Sequence, residues 1–183
     1  QSDLDKFYVP NVETSLGFVA EIIKSVKIKL DGKKPLIGFA GAPFTVASYM
    51  VEGEGSHDLK KTKLMMYQNP QLLHNIMEKI TLTTIDYLNM QMDAGAEAIQ
   101  IFDSWAMHLA HNEFREYSLE YLKRIVKAVK RPNIPVIVFA RGSSAFYQAL
   151  TETNADVISI DWNANLCDVQ EHIGLNFRVQ GNL

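Results

Sequence analysis

The amino-acid sequence predicts an α/β fold made of parallel βαβ units. Short apolar segments typical of buried strands recur along the chain, and segments with apolar residues at helical spacing separate them. A helix between consecutive strands is the connection that parallel pairing requires, and such crossovers are right-handed. No tandem repeat, low-complexity tract or linker divides the chain. We therefore expect a single domain with about five parallel strands.

The first elements are a helix and a buried strand. Apolar residues at helical spacing predict a helix over residues 16–30, which ends at Asp31 and Gly32 because glycine readily adopts a positive φ. The nearly continuous apolar run of residues 35–40 predicts a strand that is buried on both faces. A long glycine-containing connection, residues 41–56, is expected next.

The rest of the chain alternates between helices and strands. A helix is expected over residues 58–67, and Asn69 followed by Pro70 predicts the start of a long helix that ends at Gly95, with the Asn69 side chain as its cap. In chain order, the remaining elements are a strand at 98–102, a helix at 112–130, a strand at 135–139, a helix at 143–153, a strand at 157–160, a helix at 165–172 and a strand at 177–180.

Composition and charge exclude several classes of protein. The chain has 183 residues, with 18 Lys and Arg against 21 Asp and Glu, so its formal net charge is −3. That charge argues against a basic nucleic-acid-binding protein, and no apolar run approaches the roughly 18 residues of a membrane span. The single cysteine, Cys167, cannot form an internal disulfide, and the polar N-terminus lacks the pattern of a secretory signal. We expect a cytoplasmic protein without a nucleic-acid or membrane partner.

Polar and aromatic residues follow the carboxyl ends of the predicted strands. Three groups stand out, namely Asp103-Ser104-Trp105, Arg141-Gly142-Ser143 and Asp161-Trp162-Asn163. Ligands of parallel α/β proteins bind at this end of the sheet, so we expect the binding face there. A structural alternative is open for Asp103 and Asp161, because aspartate at such positions often caps the following helix.

Metal and nucleotide sites have little support in the sequence. His108 and His111 are three residues apart near the start of a helix, but no third ligand accompanies them. The glycine-containing stretch at 53–56 lacks the lysine of a phosphate-binding P-loop. We expect neither a metal site nor a nucleotide site.

One long segment resembles the signature of a known enzyme family. Residues 37–53, read as IGFAGAPFTVASYMVEG, closely resemble the signature of uroporphyrinogen decarboxylases. Four further segments keep the order and spacing of that family: AGAEAIQIFDSW at 94–105, IPVIVFARG at 134–142, ADVISIDW at 155–162 and QGNL at 180–183. The resemblance therefore covers essentially the whole chain.

The resemblance implies a cofactor-free enzyme with a (β/α)8 barrel, usually a homodimer. Members of this family convert the four acetate side chains of uroporphyrinogen III to methyl groups, which yields coproporphyrinogen III and carbon dioxide in haem and tetrapyrrole biosynthesis. The family's substrate-binding tyrosine matches Tyr49, and the hydroxyl residue after the acidic residue of the second strand end matches Ser104. Both can donate a hydrogen bond to a substrate carboxylate without adding charge.

The resemblance leaves no catalytic residue assignable in this chain. The family's pyrrole-binding aspartate and its carboxylate-binding arginines lie upstream of the matching segments, and its histidine lies downstream of them. Arg141 is a hypothetical carboxylate partner, although the family commonly has lysine at that position. The general acid, the order in which the acetates react and the dimer interface stay open.

The length of the chain predicts an incomplete barrel, and two alternative functions are open. A closed barrel has about 250 residues and eight strands. A chain of 183 residues with five strands is therefore expected to be the central part of one, lacking its N- and C-terminal parts. Two alternatives are a zinc-dependent corrinoid methyltransferase of the same superfamily and a non-catalytic scaffold fragment. Such a methyltransferase needs His and Cys near the end of a late strand, whereas residues 139–142 contain neither.

Overall fold

The computed structural model describes residues 6–53, 58–142 and 145–182, and a parallel sheet forms its centre. The five strands are β1 Ile37–Gly41, β2 Ala98–Asp103, β3 Val136–Ala140, β4 Val157–Ser159 and β5 Arg178–Gln180. Every neighbouring pair is parallel, and the order in the sheet is the order in the chain. The predicted set of five parallel strands is therefore confirmed.

Helices connect the strands. The α-helices are α1 Val12–Leu30, α2 Pro43–Glu52, α3 Lys60–Gln68, α4 Pro70–Asp93, α5 His111–Phe114, α6 Glu120–Val129, α7 Tyr147–Leu150 and α8 Leu166–Ile173. A π-helical turn, Arg115–Leu119, joins α5 to α6, and 3-10 turns lie at Ala106–His108 and Thr151–Thr153. None of the helices in the described ranges is long and apolar enough to cross a membrane.

The strand order identifies the type of α/β fold. A parallel sheet whose order never reverses, with right-handed crossovers, carries all its connecting helices on the same face. A doubly wound sheet would reverse its order and carry helices on both faces. The protein thus has the arrangement of consecutive units of a (β/α)8 barrel, and the five strands in the described ranges form an open sheet.

The hydrophobic core lies between the helices and the outer face of the sheet. Ala40, Ile101 and Val138 belong to this core and are at most 7% exposed. On the other face of β1, Ile37 and Phe39 are 47% and 61% exposed. The expectation that β1 is buried on both faces is wrong, because within the described residues only one of its faces packs against helices.

The segment after β1 is helical rather than a long connection. Helix α2 occupies residues 43–52 of the long connection expected at 41–56, and residues 54–56 lie outside the described residues. Ala42 is extended, with φ −68° and ψ 153°, and Pro43 follows in the first turn, where its missing N–H costs no helical hydrogen bond. Gly53 ends the helix in the left-handed region, at φ 82°. The glycines that suggested a loop therefore lie at the boundaries of the helix.

Three other helix predictions need correction. The Asn69 side chain makes no capping hydrogen bond within the described residues. The backbone carbonyl oxygen of Asn69 instead accepts from the N–H groups of Leu72 and Leu73. The predicted helix at 112–130 is interrupted by the π-helical turn between α5 and α6. In the predicted helix at 143–153, residues 143 and 144 lie outside the described residues, and α7 begins only at Tyr147.

A side chain caps the free edge of β1. In a strand at the edge of a sheet, the backbone N–H and C=O groups of alternate residues pair with the neighbouring strand, and those of the residues between them point away from it. The backbone groups of Phe39 point away from β2. The Gln91 amide of α4 accepts from the Phe39 N–H and donates to the Phe39 carbonyl, both at 2.9 Å. Gly38 leaves room for this amide, because a Cβ at that position would lie 2.7 Å from Gln91 Oε1. The Phe39 backbone groups, which could otherwise pair with a foreign strand, are thus satisfied internally.

A carboxylate joins α2 to α3 across residues 54–57. Glu52 is buried, and its Oε1 accepts from both the backbone N–H and the hydroxyl of Thr62 at 2.8 Å. The Lys61 ammonium donates to the Glu52 carbonyl oxygen at 2.9 Å. Since Leu59 precedes α3 without a capping side chain, Glu52 stabilises the first turn of this helix in its place.

Candidate functional site

The carboxyl ends of β2 and β3 bring two of the predicted site residues together. Asp103 is in register with Ala140, so Ser104 and Arg141 occupy the next positions on neighbouring strands. The backbone N–H of Arg141 donates to the Asp103 carbonyl at 3.0 Å, which extends the pairing beyond the last residues of the strands. This end of the sheet therefore carries Ser104 beside Arg141.

Tyr49 lies on α2 and approaches the loop after β2. Its side chain is half-exposed, and its ring meets the Trp105 ring edge-on, with centroids 5.6 Å apart and an interplanar angle of 69°. Ser104 directly precedes Trp105 in the chain. The two residues that the family resemblance assigns to substrate binding thus lie on adjoining segments.

Asp103 holds the loop after β2 against α2. Its side chain is fully buried, with Oδ1 accepting from the Thr45 hydroxyl at 2.6 Å and Oδ2 accepting from the Ser118 hydroxyl at 2.5 Å. The Thr45 hydroxyl oxygen in turn accepts from the backbone N–H of Trp105 at 3.1 Å. The interpretation of Asp103 as a helix cap is therefore wrong. It is a positioning residue for the segment that carries Ser104.

Burial raises the pKa of the Asp103 carboxyl, because desolvation disfavours the charged form. The hydrogen bonds from Ser118 and Thr45 act in the opposite direction and offset only part of this effect. The carboxyl group therefore binds a proton more readily in the folded protein than in the unfolded chain.

A second buried aspartate, Asp161, joins the loops after β3, β4 and β5. Its carboxylate accepts from the backbone N–H groups of Gly142 at 2.6 Å and Asn163 at 3.0 Å. The Asn182 amide donates to the Asp161 carbonyl at 2.7 Å. The side chain that caps α8 is Asn165, so the interpretation of Asp161 as the cap of that helix is wrong. Asp161 instead ties three strand ends together.

A row of phenylalanines on the inner face of the sheet is a feature that the sequence alone did not single out. Phe39, Phe102 and Phe139 lie on β1, β2 and β3, with neighbouring ring centroids 6.1 and 5.9 Å apart. Strand alternation is the signal that could have identified them, because each occupies a position opposite the core-facing residues of its strand. An aromatic surface therefore leads up to the strand ends.

The two histidines considered as a metal pair lie in different surroundings. His108 ends the turn Ala106–His108, with its ring 5.4 Å from that of Trp105, whereas His111 begins α5 and is exposed. Within residues 6–53, 58–142 and 145–182, no group of three or more His, Cys, Asp or Glu side chains is placed to hold a metal ion.

Comparison with known sequences gives matches that cover the whole chain. A family model described as uroporphyrinogen decarboxylase (URO-D) matches residues 1–183. The uroporphyrinogen decarboxylases of Neisseria meningitidis serogroup B (strain MC58) and Hydrogenovibrio crunogenus are 41% and 40% identical to this chain over 186 residues. Each match covers 100% of this chain and 52% of the relative, so the chain spans about half the length of these curated relatives.

Comparison with solved structures concerns the fold alone. A methyltransferase from Methanosarcina mazei superimposes with a TM-score of 0.84 and 24% sequence identity, covering 98% of this chain and 53% of that one. At that identity the likeness supports the α/β architecture and carries no argument about the reaction. Since the family model extends over every residue, the chain belongs to the uroporphyrinogen decarboxylase (URO-D) family.

Proposed function

We propose that this chain forms part of a carboxy-lyase that converts uroporphyrinogen III to coproporphyrinogen III in haem biosynthesis. The observation that carries the proposal is the family match over residues 1–183. The approach of Tyr49 to the segment with Ser104 and Trp105 supports it. The proposal includes a single barrel domain to which these five strands belong, no cofactor, and a homodimer in the cytoplasm.

Each decarboxylation breaks the bond between the methylene and carboxyl carbons of one acetate side chain. The electron pair of that bond moves into the pyrrole, which is an electron sink once it is protonated at carbon. The methylene then gains a proton to become a methyl group, and the pyrrole carbon loses its extra proton. Because the substrate supplies its own electron sink, the protein is needed for binding, orientation and charge stabilisation.

Tyr49 and Ser104 bind substrate carboxylates in this proposal. Each offers a neutral O–H donor, which suits a substrate that carries carboxylates on every pyrrole. The contact with Trp105 restricts the Tyr49 ring before substrate arrives, which reduces the entropy cost of binding. The phenylalanine row gives the pyrrole rings an apolar, aromatic surface on which to pack.

A zinc-dependent corrinoid methyltransferase is the rival from the same superfamily. The Methanosarcina mazei methyltransferase shares the fold. However, residues 139–142 at the end of β3 contain neither His nor Cys, the ligands that suit zinc in such a site. The decarboxylase proposal is therefore favoured.

Loss of either hydroxyl is expected to slow turnover without unfolding the protein. The host is a chimera in which residues 1–183 replace the matching residues of the Neisseria meningitidis relative. Tyr49→Phe and Ser104→Ala are each expected to lower kcat/KM about tenfold, because one hydrogen bond to a carboxylate contributes about 1.5 kcal/mol. The measurement is coproporphyrinogen formation from uroporphyrinogen, with Tm as the check on folding.

Two matched substitutions are the controls for this experiment. Tyr67→Phe removes an exposed hydroxyl that bonds to Glu113 on the outer helices, and Ser25→Ala removes an exposed hydroxyl of α1. Both are expected to leave kcat/KM unchanged. Unchanged kinetics in Tyr49→Phe and Ser104→Ala as well would remove those two residues from the site.

A further inference from the structure

Three buried nitrogen atoms at the carboxyl end of the sheet have no hydrogen-bond partner among the described residues. They are Trp105 Nε1, His108 Nε2 and Arg141 Nε. All three lie on the segments that directly follow β2 and β3. An unpartnered buried donor is destabilising, and native proteins satisfy nearly all such groups. Their grouping on two neighbouring loops makes this end of the sheet a candidate site for a ligand that supplies acceptors.

The two loops form one continuous surface. A Cβ added to Gly142 would lie 3.1 Å from the Cβ of Met107, so the loop after β3 rests directly on the turn that carries His108. The ring of His108 lies 5.4 Å from that of Trp105. The three unpartnered nitrogens therefore belong to adjoining segments rather than to separate places in the fold.

Arg141 brings a positive charge to this surface. Its guanidinium carbon lies 5.2 Å from the centre of the Trp162 ring, a cation–π contact that restricts the orientation of the planar group. The arginine ion pairs among the described residues involve Arg115, Arg124 and Arg131, and none includes Arg141. The guanidinium is thus held in place without a carboxylate at ion-pair distance in the described part of the chain.

The surroundings of His108 also favour an anion. Burial lowers the pKa of His108, and the positive charges of Lys63 and Arg141 lower it further, against the opposing charge of Asp58. The imidazole therefore lies in a region where cations outweigh anions. A carboxylate carries a negative charge and several acceptor lone pairs, so it suits such a region.

We propose that Arg141, His108 and Trp105 form a binding site for one carboxylate side chain of the substrate. The Arg141 guanidinium pairs with the carboxylate oxygens, and the ring N–H groups of Trp105 and His108 donate to the remaining lone pairs. This site adjoins the one proposed at Tyr49 and Ser104, since Trp105 follows Ser104 and contacts the Tyr49 ring, and we assign it a second carboxylate of the substrate. The identity of the anion as a substrate side chain rests on the proposed function.

Tryptophan fluorescence of the 183-residue chain tests this site directly. The chain has only two tryptophans, and both Trp105 and Trp162 lie at the site. Two ligands are titrated: sodium propionate against sodium chloride at equal ionic strength, and uroporphyrin, the oxidised ring with the same carboxylate side chains. Saturable binding of both ligands is expected.

Three variants distinguish specific binding at Arg141 from nonspecific attraction between the ligand and positive charges. Arg141→Gln is expected to weaken binding of both ligands roughly ten- to hundredfold, as for the loss of a hydrogen-bonded charge. Arg141→Lys keeps the charge but lacks the planar fork, and is expected to weaken binding less. Arg115→Gln, which removes an arginine paired with Glu152, is the matched control and is expected to bind as the wild type does. Tm is measured for each variant.

The outcomes distinguish this site from the proposed function. Propionate binding that depends on Arg141, without any uroporphyrin binding, supports the carboxylate site and counts against its assignment to this substrate, whereas the turnover assay of the chimera tests the proposed function separately. Uroporphyrin binding that is equal in wild type, Arg141→Gln and Arg141→Lys overturns the site and leaves the proposed function standing. Absence of binding of both ligands to the wild type also overturns the site.

Discussion

Replacement of Asp103 by alanine is expected to lower the free energy of unfolding by about 3 kcal/mol, because two buried hydroxyls lose their acceptor at about 1–3 kcal/mol each. The hydroxyls belong to Thr45 and Ser118, which bind different oxygens of the Asp103 carboxylate. Chemical denaturation of the chain measures the loss. Asp86→Ala, on an exposed position of α4, is the matched control and is expected to change the free energy of unfolding by less than about 0.5 kcal/mol. A loss no larger than that of the control would contradict the role of Asp103.

The pH dependence of stability tests the burial of the same group. Burial raises the pKa of Asp103 in the folded protein above the ordinary 3.8. At pH values between the ordinary and the raised pKa, the folded state therefore keeps a proton that the unfolded chain has released. The free energy of unfolding contributed by this group therefore falls as pH rises through that range, and becomes constant above the raised pKa. Asp103→Asn has no such proton, so the stability difference between wild type and variant is expected to shrink with rising pH. A difference that does not change with pH would show that the pKa is not raised.

Gly38→Ala is expected to destabilise the protein by about 2 kcal/mol, the usual cost of overpacking a core. The added Cβ would lie 2.7 Å from Gln91 Oε1, 3.0 Å from Ile99 Cδ1 and 3.1 Å from Ala96 Cβ. It would also displace the amide that caps the Phe39 backbone at the edge of β1. A glycine-to-alanine change within a strand ordinarily stabilises a protein by about 0.5–1 kcal/mol. A destabilising effect of Gly38→Ala would therefore indicate steric crowding at this position.

Gly17→Ala is the matched control, because nothing lies within 4 Å of a Cβ at that position in α1. It is expected to stabilise the protein by about 0.5–1 kcal/mol through helix propensity alone. A double-mutant cycle with Gln91→Ala isolates the contact, since the cost of Gly38→Ala should shrink when the amide is absent. Equal costs in both backgrounds would mean that Gln91 does not restrict position 38.

The strands were predictable from the sequence because each is a short apolar run between helical segments. The strand expected at 98–102 is observed as Ala98–Asp103, and those expected at 35–40 and 135–139 are observed as Ile37–Gly41 and Val136–Ala140. Helix α2 was not predictable in the same way, because Gly41 and Gly53 have the composition of a loop and their positions at the helix boundaries show only in the backbone. The exposure of Phe39 depends on what packs against the inner face of the sheet, which local sequence does not determine.

The candidate site was predictable in position and less so in detail. Strand ends fix where Ser104 and Arg141 lie, since parallel strands gather their carboxyl ends at one edge. The role of Asp103 was not predictable, because Thr45 and Ser118 reach it from 58 and 15 residues away in the chain. The unpartnered nitrogens of Trp105, His108 and Arg141 likewise depend on side-chain packing in three dimensions.

Decarboxylation of uroporphyrinogen III by the Neisseria meningitidis chimera that contains residues 1–183 is the most direct test of the proposed function. The assay follows substrate loss, carbon dioxide release and coproporphyrinogen formation without added metal or cofactor. Four carbon dioxide molecules are expected for each coproporphyrinogen III formed, as required for conversion of every acetate to a methyl group. A chimera that folds and binds uroporphyrin but leaves uroporphyrinogen unchanged would contradict the proposed function.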